Sequence, residues 1–418
     1  MRRELLAVVL AFAAGCGSVT EPVIDPDWTG TDAAKPLTHA DCVRLATQSA
    51  PTAAAWRARL LSAQAALRQA KTLPNPTFSA GWEDIGVRDT NVQQTFSLAY
   101  ELQAIFARPR LEAAAQHDLD AARADLLAEK TKLAADVCRA YDGLVAARAH
   151  AALAKEIVDV AERGHDAALR FVAAGEKSRF DADRAEAEVA SARAALAKAE
   201  SDARAEELAL AFAVGFARPV ALQLADGMTP APSAAEPEEL LVAAANARPE
   251  IAAAAARYAA QLERAHLAAE RLQFLPAPNG GWRTTGSEQS WVAGLDVQIP
   301  LFDSGGAAVD AASADLLAAA AALRRTTRDV GGEVIAAYRR SADADQYLAT
   351  HARPLADKRR ALREESARLF AAGEAEFADL LQSFRDEIDA RGALLDADAA
   401  AAAARVDLAA ATGKIGQD

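Results

Sequence analysis

The sequence predicts a mainly α protein with a small β part, built from one structural unit used twice. Three observations carry this reading. The first is a short turn that occurs in two copies. Ala173-Ala174-Gly175-Glu176 is followed by Asp181, and Ala371-Ala372-Gly373-Glu374 by Asp379, 198 residues further on. The second is the length of the Ala-, Arg- and Glu-rich helical patterns that flank each copy. The third is a pair of alternating apolar and polar stretches, each placed before a long helical pattern. Gly takes φ > 0 at a helix end without a Cβ penalty, so each turn reads as the bend of a long helical hairpin. A repeat of this size means a duplicated unit.

Composition fits such a design. Of 418 residues only 6% are aromatic, and Ala dominates. Small residues let helix axes approach closely, which suits thin helical layers better than a thick globular core. The formal charge of -13 argues against nucleic acid as a partner, since phosphate binding needs a basic surface.

The first residues read as a targeting segment. Arg2 and Arg3 precede the apolar run from Leu5 to Ala14, which is too short to span a bilayer as a helix. The expectation is a signal peptide over residues 1–15 and a lipidated Cys16 after small residues in the manner of a bacterial lipobox. Ala13 stands where that pattern commonly has Leu, and the alternative is an ordinary signal peptide with an incidental Cys. One acyl-bearing terminus holds a membrane only modestly, so a second anchor is expected. Residues 16–36, with Pro22, Pro26, Gly30 and Pro36, read as a tether.

The first repeat is expected over residues 37–219. Thr38 is a candidate N-cap for a helix reaching about Lys71, interrupted near Pro51 and ended by Leu73-Pro74-Asn75-Pro76. Phe78, Ala80 and Trp82 then alternate with Thr77, Ser79 and Gly81. Val92, Phe96, Leu98, Tyr100 and Leu102 follow with polar residues between them. This is a β-hairpin turning near Arg88-Asp89-Thr90, with strands of roughly ten residues, the length a tilted membrane strand needs. Leu111 to Ala174 reads as one helix of roughly 95 Å. A second runs from about Ser178 to Val214. Cys42 and Cys138 fall in helical patterns and read as small core residues, although an exported compartment would permit a disulfide.

Residues 220–237 form a Pro-rich connector, and the second repeat, residues 238–415, follows the same order before a short 416–418 tail. A helix from Glu238 to about Phe274 is interrupted near Pro249. Leu275-Pro276-Ala277-Pro278 and Gly281-Trp282 echo the first unit. Trp291, Ala293, Leu295, Val297 and Ile299 alternate with Gly294, Asp296 and Gln298. Ala307 to Ala372 is again very long, with a kink near Pro354, and the last helix ends at Thr412-Gly413.

Four strands cannot close a barrel, and lipid tolerates strands only when every edge is paired. Several copies must therefore complete one barrel. Three copies give twelve strands, with the long helices projecting away as a helical cylinder.

In this order of elements, the chain resembles the outer-membrane efflux protein (TolC) family. The residues that carry the likeness are Leu73 to Pro76, the run Gln298-Ile299-Pro300-Leu301-Phe302-Asp303-Ser304-Gly305-Gly306, and the paired bends with their downstream Asp residues. Gln103 stands where the family commonly has Pro. The start and the LPNP run are more similar to the heavy-metal and drug efflux branches. The resemblance implies a homotrimeric exit duct: a 12-stranded barrel in outer-membrane lipid and an α-helical tunnel in the periplasm. It also implies a periplasmic adaptor partner and, indirectly, an inner-membrane transporter. The duct would be passive and no enzyme, in an efflux or type I secretion system. On this reading Ala174, Gly175, Glu176, Ala372, Gly373 and Glu374 are adaptor-contact tips, against the plainer reading of solvated turns. Asp181 and Asp379 are candidate aperture carboxylates, multiplied into rings by the trimer. For Asp181 the competing reading is a Ser178-x-x-Asp181 capping box.

The six His, at 39, 117, 150, 165, 266 and 351, show no metal-ligand spacing with Cys or with one another. No cofactor, metal site or catalytic residue is expected. The reading from another class is a secreted or periplasmic coiled-coil spacer or adaptor, which would have no use for two amphipathic hairpins.

Overall fold

The computed structural model describes residues 36–49, 51–85, 91–175, 178–216, 220–230, 236–372, 374–375 and 377–415. The segments read as signal peptide, Cys16 and most of the tether lie outside these residues, as do Glu176 and Gly373.

In chain order the first unit contains α1 (His39–Ser49), α2 (Pro51–Lys71), β1 (Thr77–Glu83), β2 (Gln93–Ala99), α3 (Leu102–Ala173) and α4 (Arg179–Val214). The second contains α5 (Pro237–Ala247), α6 (Pro249–Glu270), β3 (Ala277–Thr285), β4 (Glu288–Asp296), α7 (Gly306–Tyr347), α8 (Arg353–Ala372) and α9 (Phe377–Ala411). Helices starting at His39, Pro51 and Arg179 recur at Pro237, Pro249 and Phe377, each 198 residues on. The two hairpin ends repeat in the same detail. Gly215 (φ 101°) and Gly413 (φ 72°) close α4 and α9, and the next residues donate back to Ala211 and Ala409, both at 2.9 Å. That is the Schellman closure, which satisfies carbonyls a helix end leaves open.

Several boundaries differ from the sequence reading. The helix read from Leu111 starts at Leu102 and carries Pro109 in its interior; at 72 residues it is roughly 110 Å long. An interior Pro costs a helix bond. Here Arg110 ties the stretch to α6 through Glu263 at 2.8 Å and Glu270 at 3.0 Å. Leu102 therefore starts the helix instead of ending β2. The strands have seven and nine residues rather than ten, and Val297 and Ile299 lie beyond β4. The helix read to Phe274 stops at Glu270, where Arg271 adopts a left-handed φ of 49°, and one 3-10 turn, Leu272–Phe274, follows. The kink near Pro354 is a π-helical turn, Leu348–Ala352, joining α7 to α8. The wider turn absorbs the bond that Pro354 cannot make.

The strands form one antiparallel sheet in the order β1-β2-β3-β4, so β2 and β3 join the two units and β1 and β4 are its edges. The register sets Phe78 opposite Leu98, Phe96 opposite Trp282 and Trp282 opposite Trp291. One face therefore carries Phe78, Trp82, Phe96, Leu98, Trp282, Trp291 and Leu295. The other carries Ser79 and Ser97, whose hydroxyls lie 2.7 Å apart, and Arg283, which donates to Thr95 at 3.3 Å. The expected amphipathic sheet is thus observed, and its aromatic face is exposed.

The helical part has two related cores at mid-length. Leu37, Cys42, Ala46, Val137, Tyr141, Leu210 and Val214 build the first; Leu240, Ala244, Val330, Val334, Ala337, Leu408 and Ala411 build the second. In each, a short helix crosses a long hairpin. Cys42 and Cys138 are buried free thiols. Burial pushes them up to about 12 and about 11, with neighbouring carboxylates adding to the rise. Beside the first core, Asp142 is buried and accepts from Thr229 N–H at 3.0 Å and from its hydroxyl at 2.7 Å. His39 Nε2 lies 3.0 Å from Asp142 and Nδ1 3.4 Å from Asp226. Burial opposes the imidazolium, but the hydrogen bonds and charges of Asp142 and Asp226 outweigh it and raise the His39 pKa above its ordinary 6.5.

Candidate docking tips and tunnel mouth

The far ends of the long hairpins, opposite the sheet, carry the residues singled out as tips. At the first, α3 ends with Ala174 as its C-cap, and Ala174 N–H returns to the Arg170 carbonyl at 3.0 Å. Gly175 follows at φ +77° and donates to Val172 at 3.0 Å. A Cβ on Gly175 would meet no atom within 4 Å. Its need for Gly is therefore purely conformational. The chain re-enters α4 through Ser178. Asp181 Oδ2 accepts from Ser178 N–H at 3.1 Å and from its hydroxyl at 2.9 Å, a capping arrangement favoured by the helix dipole.

At the second tip, Glu374 is exposed and its N–H reaches the Leu369 carbonyl at 2.9 Å, five residues back. Ala372 is the last residue of α8 and is exposed. Asp379 stands exposed in the first turn of α9. The two Asp residues share a position in the repeat: Asp181 closes a cap with Ser178, and in sequence Glu376 occupies the matching place before Asp379.

The two hairpins lie side by side. Gly164 lets α3 approach α9 so closely that a Cβ there would stand 3.3 Å from Leu381. Above the tips, ion pairs also join the helices. Arg385 meets Glu188 at 3.0 Å and Arg391 meets Glu156 at 3.1 Å, both between hairpins. Arg359 meets Asp386 at 2.6 Å and Arg363 meets Glu387 at 2.8 Å within the second hairpin. The Arg391 contact holds the Glu156 carboxyl below its usual range.

Sequence reading missed one feature of the first tip. Phe180 is 73% exposed beside Asp181, and Leu169 is exposed across the bend. An aromatic in the first turn of a helix ordinarily reads as core. The signal available in sequence was its position two residues past the predicted N-cap, where no helix face is yet buried. No group of three or more His, Cys, Asp or Glu able to hold a metal ion occurs among the described residues.

Long duplicated helical hairpins with an amphipathic sheet at one end define an efflux-channel class of outer-membrane protein. Residues 43–216 and 240–414 both match the family described as "Outer membrane efflux protein", and the chain belongs to that family. Its members are channels, not enzymes. The cobalt-zinc-cadmium resistance protein CzcC of Cupriavidus metallidurans is 28% identical over 278 residues. That match covers 65% of this chain and spans 65% of the length of the curated relative. Among solved structures, the outer-membrane channel OprN superposes with a TM-score of 0.75 at 21% identity, covering 95% of this chain and 98% of that one. VceC of Vibrio cholerae superposes with a TM-score of 0.72 at 19% identity, over 89% and 95% of the two chains.

Proposed function

We propose that this chain is the exit duct of a tripartite efflux system, assembled as a homotrimer with a 12-stranded barrel in the outer membrane and a helical tunnel in the periplasm. The observation that carries the reading is the four-stranded sheet itself. One face is aromatic and exposed, the other is polar, and β1 and β4 leave two open edges. Lipid accepts such a sheet only if the edges pair, and sheets from three copies pair them in a ring. The polar face then lines water and the aromatic face meets lipid.

In this assembly Ala174, Gly175, Glu176, Ala372, Gly373 and Glu374 are the periplasmic tips that meet an adaptor, and the exposed Phe180 adds an apolar contact. Exposed apolar groups rimmed by polar ones suit a protein partner. Asp181 and Asp379, three of each per trimer, give the tunnel mouth two acidic rings that favour cations. Cys16 carries the lipid anchor, and residues 16–36 tether it. Residues 37–219 and 238–415 are the two repeats, and 220–237 joins them.

Among cargo classes, metal cations fit best. CzcC is named for cobalt, zinc and cadmium resistance, and the acidic mouth suits divalent ions. The cations are transported substrate, and no resident metal is needed. Deleting the gene should lower the tolerated concentration of cobalt, zinc or cadmium, and the wild-type gene should restore it. Unchanged metal tolerance together with increased sensitivity to organic drugs would reassign the cargo.

A further inference from the structure

The two repeats close their hairpins with ion pairs of opposite sign. In the first, Arg148 of α3 donates to Glu207 of α4 at 2.7 Å. In the second, Arg405 of α9 donates to Asp345 of α7 at 3.1 Å. These are the same two places in the repeat. Val137 and Tyr141 of α3 recur as Val334 and Tyr338 of α7, 197 residues on, and that offset carries Arg148 onto Asp345. Leu210 and Gly215 recur as Leu408 and Gly413, 198 residues on, and that offset carries Glu207 onto Arg405. The long helix is thus basic and the return helix acidic in one unit, and the reverse holds in the other. Reversal is not the habit of the duplication as a whole: Asp118, Asp181 and Arg193 keep their sign as Asp315, Asp379 and Arg391.

Both pairs are partly buried, and both hold the connector between the units. Glu207 accepts from the Leu222 N–H at 2.9 Å, and Arg148 donates to the Leu222 carbonyl at 2.7 Å. Arg405 donates to the Thr229 carbonyl at 2.9 Å. The connector is therefore pinned at Leu222 by the first pair and at Thr229 by the second. A wrong closure is within reach of this chain. α9 packs on α7 and also lies against α3, where Arg139 donates to Asp407 at 3.0 Å. Exchange of like elements, within a chain or between copies, is a low-cost route to swapped assemblies. As the residues stand, exchange sets Arg405 beside Arg148 and Glu207 beside Asp345. Like charges brought together in partly buried places disfavour that closure.

We infer that the opposed polarity of Arg148–Glu207 and Asp345–Arg405 sorts the hairpins: it directs α4 onto α3 and α9 onto α7, and it excludes the exchanged closure. Two repeats with the same polarity would let either return helix close on either long helix. The connector then locks the sorted arrangement. Its backbone bonds need Arg148 and Glu207 together at one end and Arg405 at the other. The device works by making the wrong closure repulsive, not only by making the right one attractive.

The test compares full-length variants refolded from urea into detergent. It reads the share of chains that regain the mass of the wild-type particle. Arg148→Asp with Glu207→Arg gives the first repeat the polarity of the second. Its own pair stays attractive, but the exchanged closure becomes attractive too, so the share should fall below wild type. Adding Asp345→Arg and Arg405→Glu disturbs the connector further, yet it restores opposed polarity. The fourfold variant should therefore recover a larger share than the twofold one. Should the fourfold variant not fold, a neutral pair decides: Arg148→Met with Glu207→Gln. It removes the attraction without inviting exchange, and sorting places it above the twofold variant. If the strength of each native pair were all that mattered, the twofold variant would equal or exceed the neutral one. A twofold variant that refolds as well as the fourfold variant, or as the neutral one where the fourfold does not fold, overturns the sorting role.

Discussion

Gly281 of β3 lies so close to Phe96 of β2 that a Cβ built on it would stand 1.9 Å from the Phe96 carbonyl oxygen and 2.7 Å from Ser97 Cα. This is the junction where the sheet passes from one repeat to the other. Gly81, its sequence echo in the first unit, has open space around its Cβ position.

The two glycines should therefore answer substitution differently. Gly281→Ala forces the β2 and β3 backbones apart, at a cost on the order of 1–3 kcal/mol or more. Gly81→Ala should stay within about 0.5 kcal/mol of wild type. Thermal unfolding of detergent-extracted protein measures both. Equal midpoints for the two variants would contradict the close approach.

A second prediction concerns the buried carboxylate at mid-length. Asp142→Ala leaves the Thr229 donors and His39 without their acceptor. Breaking a buried charged network from one side costs about 3–5 kcal/mol. The His39 side of the same network has a definite pH sign. Its folded pKa is raised, so the stabilisation is fully present below the ordinary value of 6.5 and is lost as pH rises through the folded value. The melting difference between wild type and His39→Ala should shrink with rising pH across that window. A difference that grows instead would show that His39 is neutral in the native protein.

The tips supply a third. Gly175→Val places a β-branched residue at φ +77°, with strain of about 1 kcal/mol or more and no clash. Export should fall while trimer yield and membrane insertion stay normal. Photocrosslinkers at Glu176 and Glu374 should capture an adaptor in cells that carry the complete pump. Normal export from Gly175→Val and Gly373→Val, with no captured partner, would remove the tips as the docking site.

A fourth concerns the anchor. Cys16→Ser should abolish labelling by a fatty-acid precursor, while the barrel keeps the protein in the membrane. Labelling that persists would rule out Cys16.

Much of this architecture was legible in the residues because duplication wrote it twice. The Gly175 bend, the Thr38 and Ser178 caps and the alternation through Phe78, Trp82, Phe96 and Trp291 each have a local cause, and each appears in the structure. Boundaries decided by tertiary contact were less legible. Pro109 reads as a helix start, yet Arg110 pairing with α6 carries the helix through it. Arg271 stops α6 in a left-handed turn that no Gly announces. At the tips, the Asp181 cap could be read from Ser178, whereas the exposure of Phe180 depends on what α3 and α4 leave uncovered.

The most direct measurement is the mass of the wild-type particle extracted from outer membranes in detergent, with the detergent contribution subtracted. The account expects a stable assembly of three chains that requires detergent to stay in solution. A stable, water-soluble monomer would contradict it.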